Sequence, residues 1–566
     1  MSYSSSQCWV FLILLMVSDV IAQLVPGVEI SALSSLHNTT NGDTWRWRDE
    51  EEAGKVWNFT LDDTGQFLDN PCSSSPQLNQ TWQGVTCSQI PHVCSSQMCH
   101  ITEIDLDNYG LAGFLPPDIN NLSFLELLAL NDNQITGLIP REVGNFTALK
   151  LLDLQSNELH GKIPDEVGLL RVIEQLSFST NQLTGTIPRK IGQLTTLSEV
   201  SFSFNQLTGT IPDEMGQLIA LDTLYVHSNR LTGPISSNLT QLTALKKFSL
   251  YSNHLSGSIP YELGQLTALE ILYLYLNQLT GTIPGDLWSL TTLEQLYIND
   301  NQLFGTISSE VGQLTALEQL SFGNNEFVGS IPDEVGLLTS LRVLSLHENQ
   351  LTGTISGEVG QLTALEILTL YSNQLTGYLP SEVGQLTALE VFYLYFNQLT
   401  GTIPSEIGQL TALEMLFLRN NQLTGTIPTA IGQLTALTTL ALRNNQLMGS
   451  IPEEIGQLTA LTTLLLNSNL LTGTIPSTIG FLETENLSLQ ENLLTGKIPV
   501  EISSMKRLGS LFIQDNLLTG HLEEAFNHST QQALSTIDIS NNRLSGSLST
   551  EMFLLPQLKV LSLSGM

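Results

Sequence analysis

The sequence predicts an α/β solenoid, a stack of repeats in which short parallel strands alternate with short helical segments. Three observations predict it: asparagine recurs every 24 residues from Asn133 to Asn469, alternating leucines precede each asparagine, and a glycine and usually a proline follow it. Repetition at this period indicates stacked supersecondary units. Because each unit of a solenoid contacts only its neighbours, all 566 residues can belong to one long array without one large central core.

The strand and its asparagine are clearest in residues 365–388, LEILTLYSNQLTGYLPSEVGQLTA. Leu365, Leu368 and Leu370 alternate with other residues, which predicts a short strand whose leucines face the core. Asn373 follows where the strand ends. Its amide can donate and accept hydrogen bonds together, so we expect it to satisfy loop backbone groups that would otherwise be buried unpaired. Repetition of this residue predicts an asparagine ladder through the stack.

The second half of the repeat reverses the chain. Leu375 and Leu379 supply apolar residues to the turn, and we expect Gly377 to adopt a backbone conformation that a side chain would forbid. The proline before Ser381 and Glu382 is typical of the first turn of a short helical segment.

The pattern LxxLxLxxNxLxGxIP resembles the plant-type leucine-rich repeat, found in the extracellular parts of plant and algal receptor-like proteins and in polygalacturonase-inhibiting proteins. The resemblance covers residues 101–566 and implies a leucine-rich repeat superhelix with a concave parallel β-sheet and short helical or 3₁₀ segments on the convex side. Ladder positions run from Tyr109 to Asn542, nineteen in all, with looser spacing after Asn469 and an incomplete last repeat.

The N-terminus predicts secretion. Residues 1–22 contain an apolar run followed by Val20 and Ala22, the small residues expected before a signal-peptidase cut at Gln23. The run is shorter than the ~20 residues that span a membrane. Residues 23–100 resemble the cap that precedes plant-type repeats. We therefore expect an extracellular protein, either secreted or at the cell surface.

Four cysteines outside the signal peptide lie close together before the first repeat, which predicts a disulfide-braced cap: Cys72, Cys87, Cys94 and Cys99. Three pairings are possible, and the shortest loops favour Cys72 with Cys87 and Cys94 with Cys99. A zinc site is the alternative, but the short Cys-x-x-Cys spacing is missing, so no metal is expected. Four tryptophans are expected to cover the open end of the first repeat: Trp45, Trp47, Trp57 and Trp82.

Eight Asn-x-Ser/Thr triplets fit an extracellular location and are candidate glycosylation sites: Asn38, Asn58, Asn79, Asn121, Asn145, Asn238, Asn486 and Asn527. A sequence rich in asparagine and threonine also produces such triplets by chance. Asn486 falls in a predicted strand, where a glycan would obstruct that end of the concave face.

The net charge of -34 makes nucleic acids and anionic membranes poor partners. One position beside the strand is glutamate in several repeats, and these glutamates form an acidic column. The column favours a basic partner or cations, or it is a solvated polar edge. Its members are Glu270, Glu294, Glu318, Glu366, Glu390 and Glu414.

Tyrosines are concentrated on the exposed strand positions, where the consensus leaves the residue free. Of 12 tyrosines, eight flank the last strand leucine, at positions where an even distribution would place about one. With strands about 4.8 Å apart, we predict two aromatic patches. The first contains Tyr225, His227, Tyr251, Tyr273, Tyr275 and Tyr297; the second contains Tyr371, Tyr393, Tyr395 and Phe417, followed by Arg419 and Arg443.

Rings and arginines of this kind carry binding energy at protein interfaces, and stacked rings also suit sugar faces. Two alternatives to a binding role remain open. Tyrosine favours strands in general, and near-identical repeats could have copied tyrosines by duplication. No catalytic triad, phosphate-binding glycine loop or metalloprotease motif is present in the sequence, so we predict neither an enzyme nor a cofactor.

We therefore predict an extracellular recognition module that binds a protein, peptide or glycan on its concave face, and the acidic column favours a basic ligand. One alternative is a secreted inhibitor of wall-degrading glycoside hydrolases, similar to the polygalacturonase-inhibiting proteins. A further alternative is that threonine rows bind ice or polysaccharide surfaces; they include Thr400 and Thr402, Thr424 and Thr426, and Thr472 and Thr474.

The C-terminal residues begin another repeat at Leu558, and Met566 lies where the next ladder asparagine is due. We expect either that the last repeats fray or that the natural chain continues into a cap, a membrane span or a kinase.

Overall fold

The computed structural model describes residues 25–48, 55–61, 69, 71–72, 82–88, 99–522, 525–548 and 550–565. The predicted signal peptide, Asn79 and Cys94 lie outside the described residues. The chain forms two compact units, one ending at Leu269 and the other beginning at Glu270.

Each unit is built on a main sheet with one short strand per repeat. The first unit opens with an antiparallel pair, Val85–Cys87 against Ile101–Asp105, and every later pairing in its main sheet is parallel. Its remaining strands are Leu127–Ala129, Leu151–Asp153, Gln175–Ser177, Glu199–Ser201, Thr223–Tyr225 and Lys247–Ser249.

The main sheet of the second unit is parallel throughout, and equivalent residues of consecutive repeats pair in register, as Leu368 does with Phe392. Its strands are Ile271–Tyr273, Gln295–Tyr297, Gln319–Ser321, Val343–Ser345, Ile367–Thr369, Val391–Tyr393, Met415–Phe417, Thr439–Ala441, Thr463–Leu465, Asn486–Ser488, Ser510–Phe512, Thr536–Asp538 and Val560–Ser562. The leucines predicted to face inward do so: Leu365 and Leu368 are fully buried, and Leu370 is nearly so.

A second row of short parallel strands follows the ladder position. In the first unit they are Ala112–Phe114, Gln134–Thr136, His160–Lys162, Gln182–Gly185, Gln206–Gly209, Arg230–Gly233 and His254–Gly257. In the second unit they are Gln278–Gly281, Gln302–Thr306, Glu326–Ser330, Gln350–Thr352, Met448–Ser450, Leu470–Thr472, Thr519–Gly520 and Arg543–Leu544. One threonine column belongs to this row: the hydroxyls of Thr376 and Thr400 donate to the carbonyls of Gly353 and Gly377, at 3.1 Å each.

The opposite side of each repeat is a single 3₁₀ turn. In the first unit these segments are Pro117–Asn121, Arg141–Asn145, Asp165–Leu169, Arg189–Gln193, Asp213–Gln217, Ser237–Gln241 and Tyr261–Gln265. In the second unit they are Gly285–Ser289, Ser309–Gln313, Asp333–Leu337, Gly357–Gln361, Ser381–Gln385, Ser405–Gln409, Thr429–Gln433, Glu453–Gln457, Ser477–Phe481 and Val500–Ser504, before a short α-helix at Thr550–Phe553.

Two glycines and a proline set the turns. Gly377 has φ +75°, the left-handed conformation expected for it. Gly384 lets consecutive 3₁₀ segments pack closely, because a Cβ there would lie 2.7 Å from the carbonyl oxygen of Glu406. Pro380 lies one residue before the segment Ser381–Gln385, with extended backbone (φ -69°, ψ 146°), and not in its first turn as predicted.

The asparagine ladder is present and joins neighbouring repeats. The Oδ1 of Asn373 accepts from the backbone N–H of Leu351 in the preceding repeat (3.0 Å). Its Nδ2 donates to the carbonyl of Leu346 in that repeat (3.0 Å) and to the carbonyl of Leu370 in its own (3.1 Å). One buried amide therefore satisfies backbone groups of two repeats.

The cap is formed by a helix, Gly27–Thr39, a 3₁₀ turn, Gly42–Thr44, and the strand Val85–Cys87. The buried carboxylate of Glu29 accepts from the backbone N–H of Ile101 (2.9 Å) and pairs with His100, which ties the helix to the first repeat.

The tryptophans and one disulfide complete the cap. Trp45, Trp57 and Trp82 are buried, and the ring of Trp47 meets that of Tyr109 edge-on at 6.0 Å. The predicted disulfide between Cys72 and Cys87 is formed. Cys99 is buried, and its pairing with Cys94 stays a prediction.

We expect Asn373→Ala to lower the free energy of unfolding by about 2–4 kcal/mol, because it leaves buried backbone groups of two repeats without a partner. Urea denaturation followed by circular dichroism measures this change. Gln374→Ala, at the exposed neighbouring position, is the control and should change stability by less than about 0.5 kcal/mol. Equal effects of the two substitutions would contradict a stabilising ladder.

Candidate functional site

The exposed face of each main sheet carries the tyrosines. Residues two apart, such as Tyr393 and Tyr395, lie on either side of a buried leucine, here Leu394. All eight tyrosines at these two positions are half-buried, so each ring offers one surface to solvent while its neighbours hold it in place. The structure therefore places the predicted binding residues on one accessible face in each unit.

In the first unit, four residues form what we call the histidine cluster: Phe204, Tyr225, His227 and Tyr251. The imidazole of His227 stacks on Tyr251 at 4.2 Å between ring centres, and Tyr225 and Phe204 meet it edge-on at 5.7 and 5.2 Å. Its Nδ1 lies 3.0 Å from the hydroxyl of Ser249. Burial lowers the pKa of His227 to about 4, so the ring is neutral at physiological pH.

In the second unit, Tyr273, Tyr275 and Tyr297 form the tyrosine trio. Tyr273 and Tyr297 stack at 5.1 Å, and Tyr275 lies 6.0 Å from both. The hydroxyls of Tyr273 and Tyr297 donate to the side-chain oxygens of Gln295 and Gln319. The predicted continuity of the trio with the histidine cluster stays a prediction.

Further along the second unit lies the arginine cluster, which contains Tyr371, Tyr393, Tyr395, Phe417 and Arg419. Tyr371 stacks on Tyr395 at 4.4 Å, and Tyr393 stacks on Phe417 at 4.6 Å. The guanidinium carbon of Arg419 lies 4.0 Å from the centre of the Tyr395 ring, in cation–π contact. Burial raises the pKa of Tyr371, Tyr393 and Tyr395, so these phenols remain neutral hydrogen-bond donors at neutral pH.

Arg443 occupies the position of Arg419 in the next repeat. Partial burial, and then the charge of Arg443, lowers the pKa of Arg419. The buried Nε of Arg443 and the buried Oδ1 of Asn467, one repeat further on, make no hydrogen bond. The guanidinium of Arg419 donates to the side-chain oxygen of Asn420 (3.3 Å), and no carboxylate among the described residues forms an ion pair with either arginine.

A further column of residues was not identified from the sequence. The residue before each ladder position takes a left-handed backbone conformation, with φ between 50° and 58°, and we call this column the rim. Among the described residues it has nineteen members, of which thirteen are Asn, Asp or Ser. Eight of the thirteen are Asn or Asp, which tolerate the conformation, whereas for a bulky residue it costs about 1–2 kcal/mol.

Three rim residues are large and apolar. Phe204 belongs to the histidine cluster, Leu276 directly follows Tyr275 of the tyrosine trio, and Phe396 lies beside Tyr395 of the arginine cluster. These residues are 52%, 48% and 49% exposed. The signal was present in the sequence, as an apolar residue before a ladder asparagine where Asn, Asp or Ser is usual. His347, which stacks on Tyr371 at 4.6 Å, is a second residue omitted from the predicted site.

The acidic column is partly neutralised within the chain. Arg342 precedes Glu366 by one repeat at the same position, and its guanidinium donates to that carboxylate at 2.7 Å. Glu294, Glu390 and Glu414 remain exposed to solvent. At Glu366 the acidic column is therefore neutralised within the chain.

Seven of the predicted glycosylation sites lie in the described residues. Asn121, Asn145 and Asn238 are exposed on 3₁₀ segments, and Asn486 is exposed in its strand. Asn38 and Asn58 are exposed in the cap, whereas Asn527 is half-buried. Their modification stays a prediction.

Within the described ranges, no three His, Cys, Asp or Glu side chains come together as metal ligands. The helices of the same residues are all too short or too polar to cross a bilayer.

Leucine-rich repeat profiles match both units. One matches residues 363–423, 387–447 and 412–471, and another matches residues 196–218, 244–266, 268–290 and 340–362. A probable leucine-rich repeat receptor-like serine/threonine-protein kinase of Arabidopsis thaliana is 35% identical over 80 residues, which are 14% of this chain and 7% of that protein. The similarity thus spans a small part of that relative.

Solved structures are similar over most of the chain. The plant peptide hormone receptor RGFR1 in complex with RGF2 is 33% identical, with a TM-score of 0.76 over 81% of this chain and 75% of that one. The Arabidopsis receptor kinase HAESA, in complex with the peptide hormone IDA and the co-receptor SERK1, is 28% identical, with a TM-score of 0.79 over 95% and 90%. A TDR receptor is 29% identical, with a TM-score of 0.69 over 79% and 90%.

The lowered pKa of His227 predicts a pH-dependent stability. Between about pH 6.5 and pH 4 the unfolded chain protonates this imidazole while the folded chain keeps it neutral. The stabilisation is therefore complete above about pH 6.5 and decreases as the pH falls toward 4. Urea denaturation at several pH values should show a smaller decrease for His227→Gln than for the wild type. Parallel pH profiles would contradict the assignment.

The rim conformation predicts that Leu276→Asn raises the free energy of unfolding by about 0.5–1 kcal/mol, since asparagine tolerates the left-handed backbone better than leucine does. The reverse substitution, Ser156→Leu, lies at the same position of another repeat and should lower stability by a similar amount. Thermal denaturation of the two variants measures both changes. A destabilising Leu276→Asn would show that the leucine contributes to packing.

Proposed function

Since this chain belongs to the plant-type extracellular leucine-rich repeat proteins, we propose that it is a receptor-like recognition module that binds a peptide on the exposed face of its main sheets. The observation that carries this proposal is the placement of the predicted tyrosines in ordered ring clusters on that face. RGFR1 is a peptide hormone receptor and HAESA was solved with a peptide hormone, which supports a peptide as the ligand class.

The ring clusters have the physical properties of a binding surface. Tyrosine brings a large amphipathic contact area with few rotatable bonds, so little conformational entropy is lost when a ligand binds. The stacking within the arginine cluster orders these rings before a ligand arrives. Such preorganised aromatic residues commonly supply most of the binding free energy of an interface.

The arrangement of the columns favours an extended ligand. The two tyrosine positions repeat once per strand, so the tyrosine trio and the arginine cluster of the second unit lie along the direction in which its strands follow one another. An extended peptide in this direction meets side chains of successive repeats, and the hydroxyls of the rings can pair with its backbone. Arg419 and Arg443, which lack a carboxylate partner among the described residues, suit an acidic group of the peptide.

The domain organisation is part of the proposal. Residues 1–22 are a signal peptide, residues 23–100 a cap, and residues 101–566 the recognition array. The protein is extracellular, either secreted or held at the cell surface.

We expect the combined substitution of Tyr273, Tyr275, Tyr393 and Tyr395 by alanine to weaken peptide binding by at least about a hundredfold, because it removes several aromatic anchors at once. The measurement is fluorescence anisotropy with labelled peptides selected on the wild-type protein from a random linear library. Tyr378→Ala is the control, since that ring is 69% exposed and outside the clusters.

The variant should keep a cooperative thermal transition, with a melting temperature lowered only modestly, because the lost rings stack on the exposed face and the buried leucines are unchanged. Failure of the library to yield any specific peptide, or equal binding by the quadruple variant, would contradict the proposed function.

A further inference from the structure

The three apolar rim residues are difficult to explain by folding. Phe204, Leu276 and Phe396 keep about half of their side-chain surface in solvent and hold a backbone conformation that strains bulky residues. Eight of the nineteen rim residues are Asn or Asp, which tolerate this conformation, and five more are the small residue Ser. Strained, exposed apolar residues that recur beside one feature of a fold point to a binding role.

Each apolar rim residue extends a ring cluster. The ring of Phe396 lies 5.7 Å from that of Tyr395, and the guanidinium carbon of Arg419 lies 4.9 Å from its centre. Leu276 directly follows Tyr275 of the tyrosine trio. In the first unit, Phe204 belongs to the histidine cluster. The rim therefore adds an apolar border to each aromatic surface.

Between the two apolar rim residues of the second unit, the rim is acidic. Asp300 and Glu348 occupy it one and three repeats after Leu276. The Asp300 carboxylate accepts from the amides of Asn299 and Asn324, at 2.6 and 2.7 Å, but neither acid forms an ion pair with a cation among the described residues. A basic side chain from a ligand would complement them.

The distance between the two apolar residues sets the length of a ligand. Leu276 and Phe396 are five repeats apart. At about 4.8 Å per strand this separation is about 24 Å, which an extended chain rising about 3.3 Å per residue covers in about seven residues.

We infer that the rim of the second unit selects an extended peptide with two large apolar side chains about seven residues apart and a basic residue between them. Leu276 and Phe396 contact the apolar side chains, Glu348 contacts the basic one, and Asp300, two strands or about 10 Å away, adds to the negative potential around it. This inference rests on the proposed function and adds the sequence features that the receptor recognises.

The test selects peptides from a random linear dodecapeptide phage library on the folded wild-type protein and measures their affinities by calorimetry. The enriched sequences are expected to share the apolar–basic–apolar pattern. Leu276→Asn and Phe396→Asn should each weaken binding by at least about tenfold, whereas Phe396→Leu should stay within about threefold of wild type. Ser156→Asn, at the same position of a repeat outside the clusters, is the matched control.

Asparagine suits the rim backbone, so these variants should fold, and an unchanged or raised melting temperature for Leu276→Asn excludes unfolding as the cause of lost binding. For the basic residue, Glu348→Gln and replacement of the peptide lysine or arginine by glutamine should show coupled, non-additive losses. Additive losses would overturn this part of the inference.

The outcomes separate the inference from the function it rests on. If the tyrosine variants lose binding while Leu276→Asn and Phe396→Asn bind as wild type, the rim inference is wrong and the peptide-binding function stands. If no variant changes binding, both are wrong. If the wild type self-associates in light scattering and the rim variants do not, the rim binds a second copy of the chain, and the inference is overturned.

Discussion

Within each unit, consecutive repeats are joined by strand pairing and also by an asparagine side chain, which is buried at Asn373. The amide of Asn373 accepts from one backbone group of the preceding repeat and donates to another, so it fixes both the separation of the two strands and the path of the chain after them. The residue before the asparagine must then turn through the left-handed conformation, as Ser372 does with φ 52°. The ladder hydrogen bonds and the left-handed rim residues thus both follow from fixing the chain of one repeat against the backbone of the repeat before it.

This constraint separates the residues that hold the structure from those that can vary. Leucines face the core, the ladder asparagine satisfies the backbone, and glycines such as Gly384 permit close stacking on the opposite side. The residues that flank the last strand leucine do not face the core, satisfy the backbone or permit close stacking. Changes of sequence at these two positions alter the chemistry of the surface while the stack beneath keeps its geometry, and the ring clusters occur there.

Much of this could be predicted from the sequence, because a 24-residue period leaves little choice of fold. The buried leucines, the hydrogen bonds of Asn373, the left-handed Gly377 and the pairing of Cys72 with Cys87 follow from spacing and residue chemistry. The predicted place of Pro380 in the first turn was wrong by one residue. The segment is a single 3₁₀ turn, so its boundary depends on a few hydrogen bonds.

The site was predicted less completely. Column positions identified the tyrosines, but they could not show which rings stack, that Arg419 lies over Tyr395, or that His227 is buried enough to remain neutral. These depend on side-chain packing across repeats. The rim was missed because a left-handed residue is recognisable from sequence only when its neighbours at equivalent positions are compared.

The near-identity of consecutive repeats has a consequence for how such a surface changes in evolution. Because strands of neighbouring repeats pair in register and the ladder residues Asn349, Asn373 and Asn397 bond in the same way, a whole repeat can be lost or duplicated by unequal recombination between similar stretches of the gene. Each such event between Leu276 and Phe396 would change the distance between these two residues by one strand spacing, about 4.8 Å, without altering either residue. Because one repeat adds one strand, recombination can lengthen or shorten the recognised segment in fixed steps, which point mutations cannot do.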